Sequence, residues 1–579
     1  MTITEHPWWK TATVYQIYPA SFKDSNGDGI GDLNGILSEL DYIKSIGVDA
    51  IWVCPMYDSP QVDMGYDISD YEKVYPPYGT VADMERLISA CHQRGIRILL
   101  DLVINHTSDQ HRWFQESRSS ISNPKRDWYI WRPAKYDSDG TRKPPNNWRS
   151  FFGGSAWQWD EHTQEYYLHL FCAEQPDLNW ENEEMRHALY QSSMRFWLDK
   201  GVDGFRVDTV NMYSKVPGLP DTPVTDPNQE WQLAADLFCN GPRMHEFLGE
   251  MNAILSEYGA MTVGELPFTK TVEKVLKYVS AEARQLSMTF QFDVVDTGFG
   301  TDLKYDTTPR AWKLPEFKDA VFSTQRLITG TDAWTTAFLE NHDQARSISR
   351  FGSCATEELR SRSGKMLALL LASLSGTLFV YQGQEIGMTN APESWKIEED
   401  YMDIESRNYF QYVVDKTGND PVETARAKAA LQHLARDHAR VPMQWDSSPH
   451  AGFTTGKKPW MRAIDNYTHI NVQNQTPDKQ SVLSFWKQML QLRKAHQDVL
   501  VHGDFQMLDR ENEETFLFLK KFGSQRALVA LNFTEHEQPF EVPGVFENGN
   551  AVRIASNYDD DVKGPLRCFE GRIYLGMAA

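Results

Sequence analysis

Gly204-Phe205-Arg206-Val207-Asp208-Thr209 reads as a strand that ends in two opposite charges. Side chains alternate along a strand, so Phe205 and Val207 share the apolar face while Arg206 and Asp208 share the other, side by side. Just upstream, Leu189, Phe196 and Trp197 recur at helical spacing and Gly201 stops the helix, which makes helix, glycine and strand one αβ unit. In a parallel β/α barrel, ionisable groups at the C-terminal end of a strand face the mouth where chemistry is done. On this stretch alone, an ion pair of purely structural meaning is an equally good reading.

The same phrase recurs along the chain. An apolar strand at Val14 to Pro19 is followed by an apolar helix (Ile36, Leu37, Leu40, Ile43), Gly47 and the strand Ala50 to Val53. Thr80 and Asp83 then open a helix with Met84, Leu87, Ile88 and Cys91 inside, and Gly95 precedes the strand Ile96 to Val103. Further units follow at Gly201, at Gly259 before Met261 to Glu265, at Gly330 before Thr335 to Leu339, and at Gly376 before Leu378 to Tyr381. With the first strand and another at Met288 to Phe292, eight strands alternate with helices, which favours a (β/α)8 barrel, the TIM barrel, over an open doubly wound sheet. Gly47 to Gly95 spans 48 residues but Gly95 to Gly201 spans 106, so an extra subdomain follows the third strand. The organisation read is a barrel over 1–106 and 178–500, an inserted subdomain over 107–177 built mainly of loops, and a C-terminal β-sandwich over 501–579.

Composition narrows the function. The 579 residues are 41% hydrophobic and 24% charged, as in globular enzymes of two or three domains. A formal charge of 58 minus 80, or −22, argues against nucleic acid or an anionic membrane as partner and favours a neutral substrate. Cys54, Cys91, Cys172, Cys239, Cys354 and Cys568 stand singly, which reads as buried free thiols in a reducing compartment. The N-terminal Met1 to Lys10 has no basic start with an apolar core, so it does not read as a secretory signal. The apolar run from Met366 to Tyr381 is too short to span a bilayer and reads as a core helix running into a strand. The expectation is a cytoplasmic protein, monomer or homodimer, acting on a small neutral molecule.

Two more strands end in acids, Glu265 after Met261 to Gly264 and Asp343 after Phe338-Leu339-Glu340-Asn341-His342, so three carboxylates converge on one rim with Asp208. Glycosidic bond cleavage needs a carboxylate on one face of the sugar and a carboxylic acid at the leaving oxygen, about 5 to 5.5 Å apart for retention of configuration. One such acid would ordinarily be satisfied by a neighbouring arginine, but three at barrel strand ends make that reading improbable.

Four segments resemble the signature regions of the α-amylase superfamily, glycoside hydrolase family 13: Asp101 to His106, Gly204 to Thr209, Val263 to Glu265 and Glu340 to Asp343. Gln175-Pro176-Asp177-Leu178-Asn179 resembles a fifth, in the form typical of the oligo-1,6-glucosidase and maltase branch, and the fungal-type intracellular maltases and isomaltases are the most similar group. The resemblance implies Asp208 as nucleophile, Glu265 as general acid/base and Asp343 as transition-state stabiliser. It further implies Arg206 beside Asp208, His106 and His342 on sugar hydroxyls, Tyr66 as a stacking platform, and Asp67 paired with Arg440 to close the pocket behind one glucose. Thr209, directly after the nucleophile, implies α-1,4 rather than α-1,6 preference. The activity implied is a retaining exo-α-glucosidase acting on maltose and short malto-oligosaccharides, with sucrose as a further candidate and with isomaltase, transglucosylase or sucrose isomerase as alternatives. The Arg-Leu-Asp-Arg type motif of the isomerases is not found after Asp343, where Ala345-Arg346-Ser347-Ile348 stands. A non-catalytic relative that keeps the barrel only for interaction would tolerate loss of the three acids, all present here.

Asp24-Ser25-Asn26-Gly27-Asp28-Gly29-Ile30-Gly31-Asp32 offers oxygen ligands at alternate positions, although Gly35 stands where an EF-hand needs a bidentate Glu. The resemblance implies a structural Ca²⁺ here, held by Asp24, Asn26, Asp28, Asp32 and the backbone carbonyl of Ile30, with Mg²⁺ as the other candidate and a solvated turn as the plain reading.

Overall fold

The computed structural model describes residues 7–300, 304–305, 312–560 and 562–578, with side chains omitted at 547–550. The chain ends read for a signal (1–6) and for the last domain boundary (579) lie outside these residues. Eight parallel strands form the centre: β1 Thr13–Ile17, β2 Ala50–Val53, β3 Arg97–Leu102, β4 Gly204–Val207, β5 Met261–Glu265, β6 Met288–Phe290, β7 Thr336–Ala337 and β8 Thr377–Tyr381. Each pairs with its sequence neighbour, β1 pairs with β8, and a parallel bridge between Thr289 and Thr335 joins β6 to β7, so the sheet closes on itself as the alternation of helix and strand predicts. β7 is shorter than the run Thr335 to Leu339 read from the sequence. Part of its ladder is replaced by side chains, since the Thr335 and Thr336 hydroxyls donate to the Thr289 carbonyl at 3.4 and 3.2 Å.

Local chemistry explains the repeated phrase. Thr80 caps the helix Val81–Gln93 in a reciprocal box with Asp83, and Met84, Leu87, Ile88 and Cys91 are its buried residues, as their spacing predicts. Before β4 the expected helix is interrupted: Glu183–Leu189 is α, Tyr190–Arg195 is π and Phe196–Leu198 is α again, a widened turn often found near functional sites. Gly201 then turns the chain at φ 94°, where L side chains are strained. Gly204 is required by closeness: a Cβ there would stand 2.1 Å from the Met261 carbonyl oxygen of β5. The apolar run 366–381 is the end of helix Glu357–Ser373 followed by β8, as read.

Between β3 and β4 the insertion is more regular than its composition indicates. It holds a helix (Arg112–Ser119) and an antiparallel sheet of Trp131–Arg132, Glu165–Leu168 and Trp157–Asp160 around Trp148, Trp157, Leu168 and Leu170. A bridge between His106 and Asp177 draws its ends together. After β8 come the helices Ile404–Thr417, Pro421–Leu434 and Asp437–Arg440, then Val482–Ala495. The C-terminal region is antiparallel. Its strands β9 Asp504–Met507, β10 Thr515–Phe522, β11 Gln525–Asn532, β12 Phe546–Ser556 and β13 Gly571–Ala578 lie in one sheet, ordered β9-β10-β11-β13-β12. One face of that sheet packs on the helices Leu314–Ile328, Glu357–Ser373 and Gln497–Leu500, and a separate apolar cluster joins Leu519, Leu528 and Phe546 with Phe540, Val545 and Tyr574. The hairpin β10-β11 turns at Gly523-Ser524.

Candidate active site

β3, β4 and β5 run in register, with Arg206 opposite Asp101 on one side and Val263 on the other. This brings three acids onto one guanidinium. Arg206 Nη1 lies 2.7 Å from Asp101 Oδ1 and 2.7 Å from Asp208 Oδ1, and its Nη2 contacts Glu265. Arg206 itself is buried. Asp101 Oδ2 also accepts from Tyr66 Oη at 3.0 Å and Trp52 Nε1 at 3.2 Å. A single buried cation cannot neutralise three ionised carboxylates, so the site favours keeping at least one of them protonated. Burial, reinforced by the Asp208 and Asp343 charges and opposed by Arg206, pushes Glu265 up to about 8. Burial also pushes Asp101 up, against the pull of Arg206.

Thr209 follows with φ 37° and ψ 42°, a left-handed conformation that costs a β-branched residue about 1–3 kcal/mol of strain. Its Oγ1 donates to Asp208 Oδ2 at 3.1 Å and its backbone N–H to Glu265 Oε2 at 3.5 Å, so the strained residue touches both acids.

The other end of the site is made by loops. Asp343 Oδ1 accepts from Arg440 Nη2 at 2.7 Å and Arg436 Nη1 at 3.2 Å. Burial works against the Asp343 charge, yet the Arg436 and Arg440 guanidiniums that donate to it hold its carboxyl well below the usual carboxylate range. Arg436 Nη2 reaches Asp63 Oδ1 at 3.2 Å, and both arginines meet Asp403, at 2.9 Å from Arg436 Nη2 and 2.6 Å from Arg440 Nη1.

The expected pairing of Asp67 with Arg440 is not formed. Asp67 is fully buried and turns back onto its own loop, accepting from Ser59 Oγ at 3.0 Å, Val62 N at 2.9 Å and Asp63 N at 3.1 Å. With those donors satisfying it, Asp67 builds the turn, and the acid facing the arginines is Asp63, which burial pushes up to about 7 against Arg436 and Arg440.

Tyr66 stacks on His342, ring centroids 5.1 Å apart and planes within 4°. His106 is buried, its Nε2 3.1 Å from the Tyr66 carbonyl and 3.1 Å from Gln175 Nε2, and burial lowers its basicity despite Asp208 and Asp177 nearby. His342 Nδ1 is 2.9 Å from Gln16 Nε2, and its Nε2 is 3.1 Å from Asp343 Oδ2. Asp63, Arg436, Asp403 and Gln16 were not singled out from the sequence. Of these, Arg436 had a signal: it precedes Arg440 by four residues, one helical turn.

The metal-loop residues form successive side-chain turns. Asp24 Oδ1 accepts from Asn26 N and Gly27 N at 2.9 and 2.7 Å, Asn26 from Asp28 N at 2.9 Å, Asp28 from Ile30 N at 2.8 Å, and Asp32 from Gly35 N at 2.7 Å. Among the described residues no three His, Cys, Asp or Glu side chains are gathered as a metal cluster. The donor set of Asp24, Asn26, Asp28, the Ile30 carbonyl and Asp32 is all hard oxygen, which fits Ca²⁺ or Mg²⁺ in chemistry. All six cysteines are free thiols. Four are buried as read, whereas Cys354 is exposed and Cys568 intermediate.

A parallel (β/α)8 barrel with paired acids held at its C-terminal rim defines a class: barrel enzymes that break bonds between two carboxyl groups. The model of the α-amylase catalytic domain matches residues 16–503, and the chain belongs to that family; it is a glycoside hydrolase. An α-glucosidase of Candida albicans is 51% identical over 99% of this chain and 100% of its own length. An oligo-1,6-glucosidase of Saccharomyces cerevisiae is 49% identical over 99% of this chain and 98% of its own. Among solved structures, a mutant of isomaltulose synthase from Erwinia rhapontici NX5, in complex with its natural substrate sucrose, superimposes with a TM-score of 0.91 at 38% identity, covering 100% of both chains. No helix among the described residues is long and apolar enough to cross a membrane.

Proposed function

We propose that this enzyme is a retaining exo-α-glucosidase that removes single glucose units from the non-reducing ends of maltose and short malto-oligosaccharides, with sucrose as a further candidate substrate. The observation that carries the reading is Arg206 bridging Asp208 and Glu265 at the ends of adjacent strands. Asp208 attacks the anomeric carbon while Glu265, kept protonated by burial, delivers its proton to the leaving oxygen. The resulting glucosyl ester on Asp208 is opened by water, whose proton returns to Glu265, so the α configuration is restored. Asp343, ionised between two arginines, faces the positive charge that develops on the sugar ring. Tyr66 is assigned the stacking surface, and His106 and His342 the hydrogen bonds to sugar hydroxyls. Asp63 with Arg436 and Arg440 walls off the far side of one glucose.

Thr209 supports α-1,4 preference, because its hydroxyl lies on the nucleophile at the junction with the leaving group. The names of the relatives span both linkages, so isomaltose is the informative competitor. The likeness to isomaltulose synthase supports a transfer reading in which a sugar hydroxyl replaces water. A panel of maltose, isomaltose, sucrose and starch with product identification tests the proposal. Glucose alone from maltose, weak action on starch and hydrolysis of sucrose are expected; internal cuts in starch at early times overturn exo action, and isomerised sucrose selects the transferase.

The loop of Asp24, Asn26, Asp28, Ile30 and Asp32 is proposed to hold a structural Ca²⁺, outside the reaction path. Metal analysis of dialysed protein should find about one ion per chain, lost with a fall in Tm under chelator; metal-free protein of unchanged Tm overturns this. Six free thiols support a reducing, cytoplasmic location, tested by fractionation. Sedimentation decides between monomer and homodimer.

A further inference from the structure

Gln16, on β1, is 1% exposed and donates through Nε2 to two groups, His342 Nδ1 at 2.9 Å and Cys54 Sγ at 3.2 Å. An amide nitrogen can only donate, so Nδ1 of His342 must accept. A neutral imidazole has one donor and one acceptor nitrogen, and its proton therefore sits on Nε2. On the far side of the ring, Nε2 stands 3.1 Å from Asp343 Oδ2 but off the line of a hydrogen bond, and it has no hydrogen-bond partner within the protein.

The ring has little freedom to choose otherwise. Tyr66 stacks on one side at 5.1 Å, the Tyr18 ring lies parallel within 12° at 6.3 Å, Trp52 meets it edge-on at 5.9 Å, and Arg440 Nε holds the His342 carbonyl at 3.0 Å. The charged and titratable groups around the ring are thus Asp343, Arg440, Arg206, Cys54 and the two tyrosines. Burial foremost keeps the imidazole neutral, although Asp343 favours its cation.

We infer that Gln16 is a positioning residue: it fixes His342 as an Nε2–H donor beside the Asp343 carboxylate, so that the pair offers one donor and one acceptor to the hydroxyls of the sugar in the pocket. The sugar part rests on the glucosidase reading, whereas the tautomer does not. With the opposite tautomer, Gln16 and His342 would set N–H against N–H, and the pocket would present two acceptors and no donor at this point.

Ring-labelled histidine NMR of the enzyme without substrate reads the tautomer directly. Wild type is expected to show His342 neutral with its proton on Nε2. A proton on Nδ1, or on both nitrogens at neutral pH, overturns the assignment whatever the substrate is. Gln16→Leu should release the preference into a mixture of tautomers and raise KM for maltose roughly tenfold with kcat little changed. Gln16→Glu keeps the shape if the leucine variant folds poorly. Its carboxyl, when protonated, donates as the amide does; when ionised it demands the proton on Nδ1. A new limb should therefore appear in kcat/KM, falling as pH rises through that carboxyl's pKa. A shifted tautomer with unchanged KM, or a Gln16→Glu profile identical to wild type, overturns the grip on substrate.

Discussion

The two ends of the pocket are built on different principles. Arg206, Asp208 and Glu265 sit on or directly after adjacent strands, and strand register alone sets Arg206 beside Asp101. Asp63, Arg436, Arg440 and Asp403 come from loops and short helices, and the pair Asp63 to Arg436 spans 373 positions of chain. On the proposed reading the chemistry is thus mounted on barrel strands, while the wall that selects the substrate is assembled from pieces whose pairing only tertiary structure decides.

Removing the nucleophile challenges the strand-built end. Asp208→Asn is nearly isosteric and should lower kcat by about 10⁴-fold or more while Tm stays near that of wild type. Measurable turnover within tenfold of wild type would place the nucleophile elsewhere.

The loop-built end should respond differently. Asp63→Asn leaves Arg436 short of one carboxylate and should lower kcat/KM for maltose on the order of a hundredfold, mostly through KM. Asp67→Asn should instead cost stability of about 1–3 kcal/mol by disturbing its own turn, with KM little changed. If the two variants exchange these phenotypes, the sequence-based pairing of Asp67 with Arg440 is right and the wall is wrongly drawn.

Thr209 touches both acids of the strand-built end. Val keeps its shape and removes the hydroxyl on Asp208, so Thr209→Val should shift the ratio of kcat/KM for maltose over isomaltose by about ten- to two-hundredfold toward isomaltose. An unchanged ratio would leave Thr209 a strained strand end and nothing more.

The smallest effect is on pH. Glu265 must be protonated to act as acid, and burial pushes it up to about 8, so kcat/KM should hold below that value and fall about tenfold per unit above it. Glu265→Gln, assayed by its residual activity, should lack this limb. A wild-type fall beginning near pH 4 would mean that Arg206 keeps Glu265 ionised.

The barrel was legible because its signals are local. Period-2 strands, period-3.6 helices and a glycine between them repeat often enough to count eight strands, and residues at strand ends inherit their position from the period. Asp63 was not legible for the same reason. Gln61, Met64 and Gly65 have φ of 68°, 49° and 104°, so the loop reverses repeatedly and neither period tells which of two aspartates faces inward. Arg436 shares a helical turn with Arg440 and was within reach of spacing arguments, whereas Gln16, inside an apolar strand, gave no hint that a histidine 326 positions away would meet it. Cys354 was misjudged because a lone cysteine carries no pattern from which to read exposure.

Double displacement between Asp208 and Glu265 stands or falls with the anomer of the glucose first released from maltose, read by proton NMR before mutarotation. The α anomer is expected at the earliest times, with β-glucose growing in only by mutarotation. Initial release of β-glucose would mean a single inverting displacement, and would contradict the roles assigned to both acids.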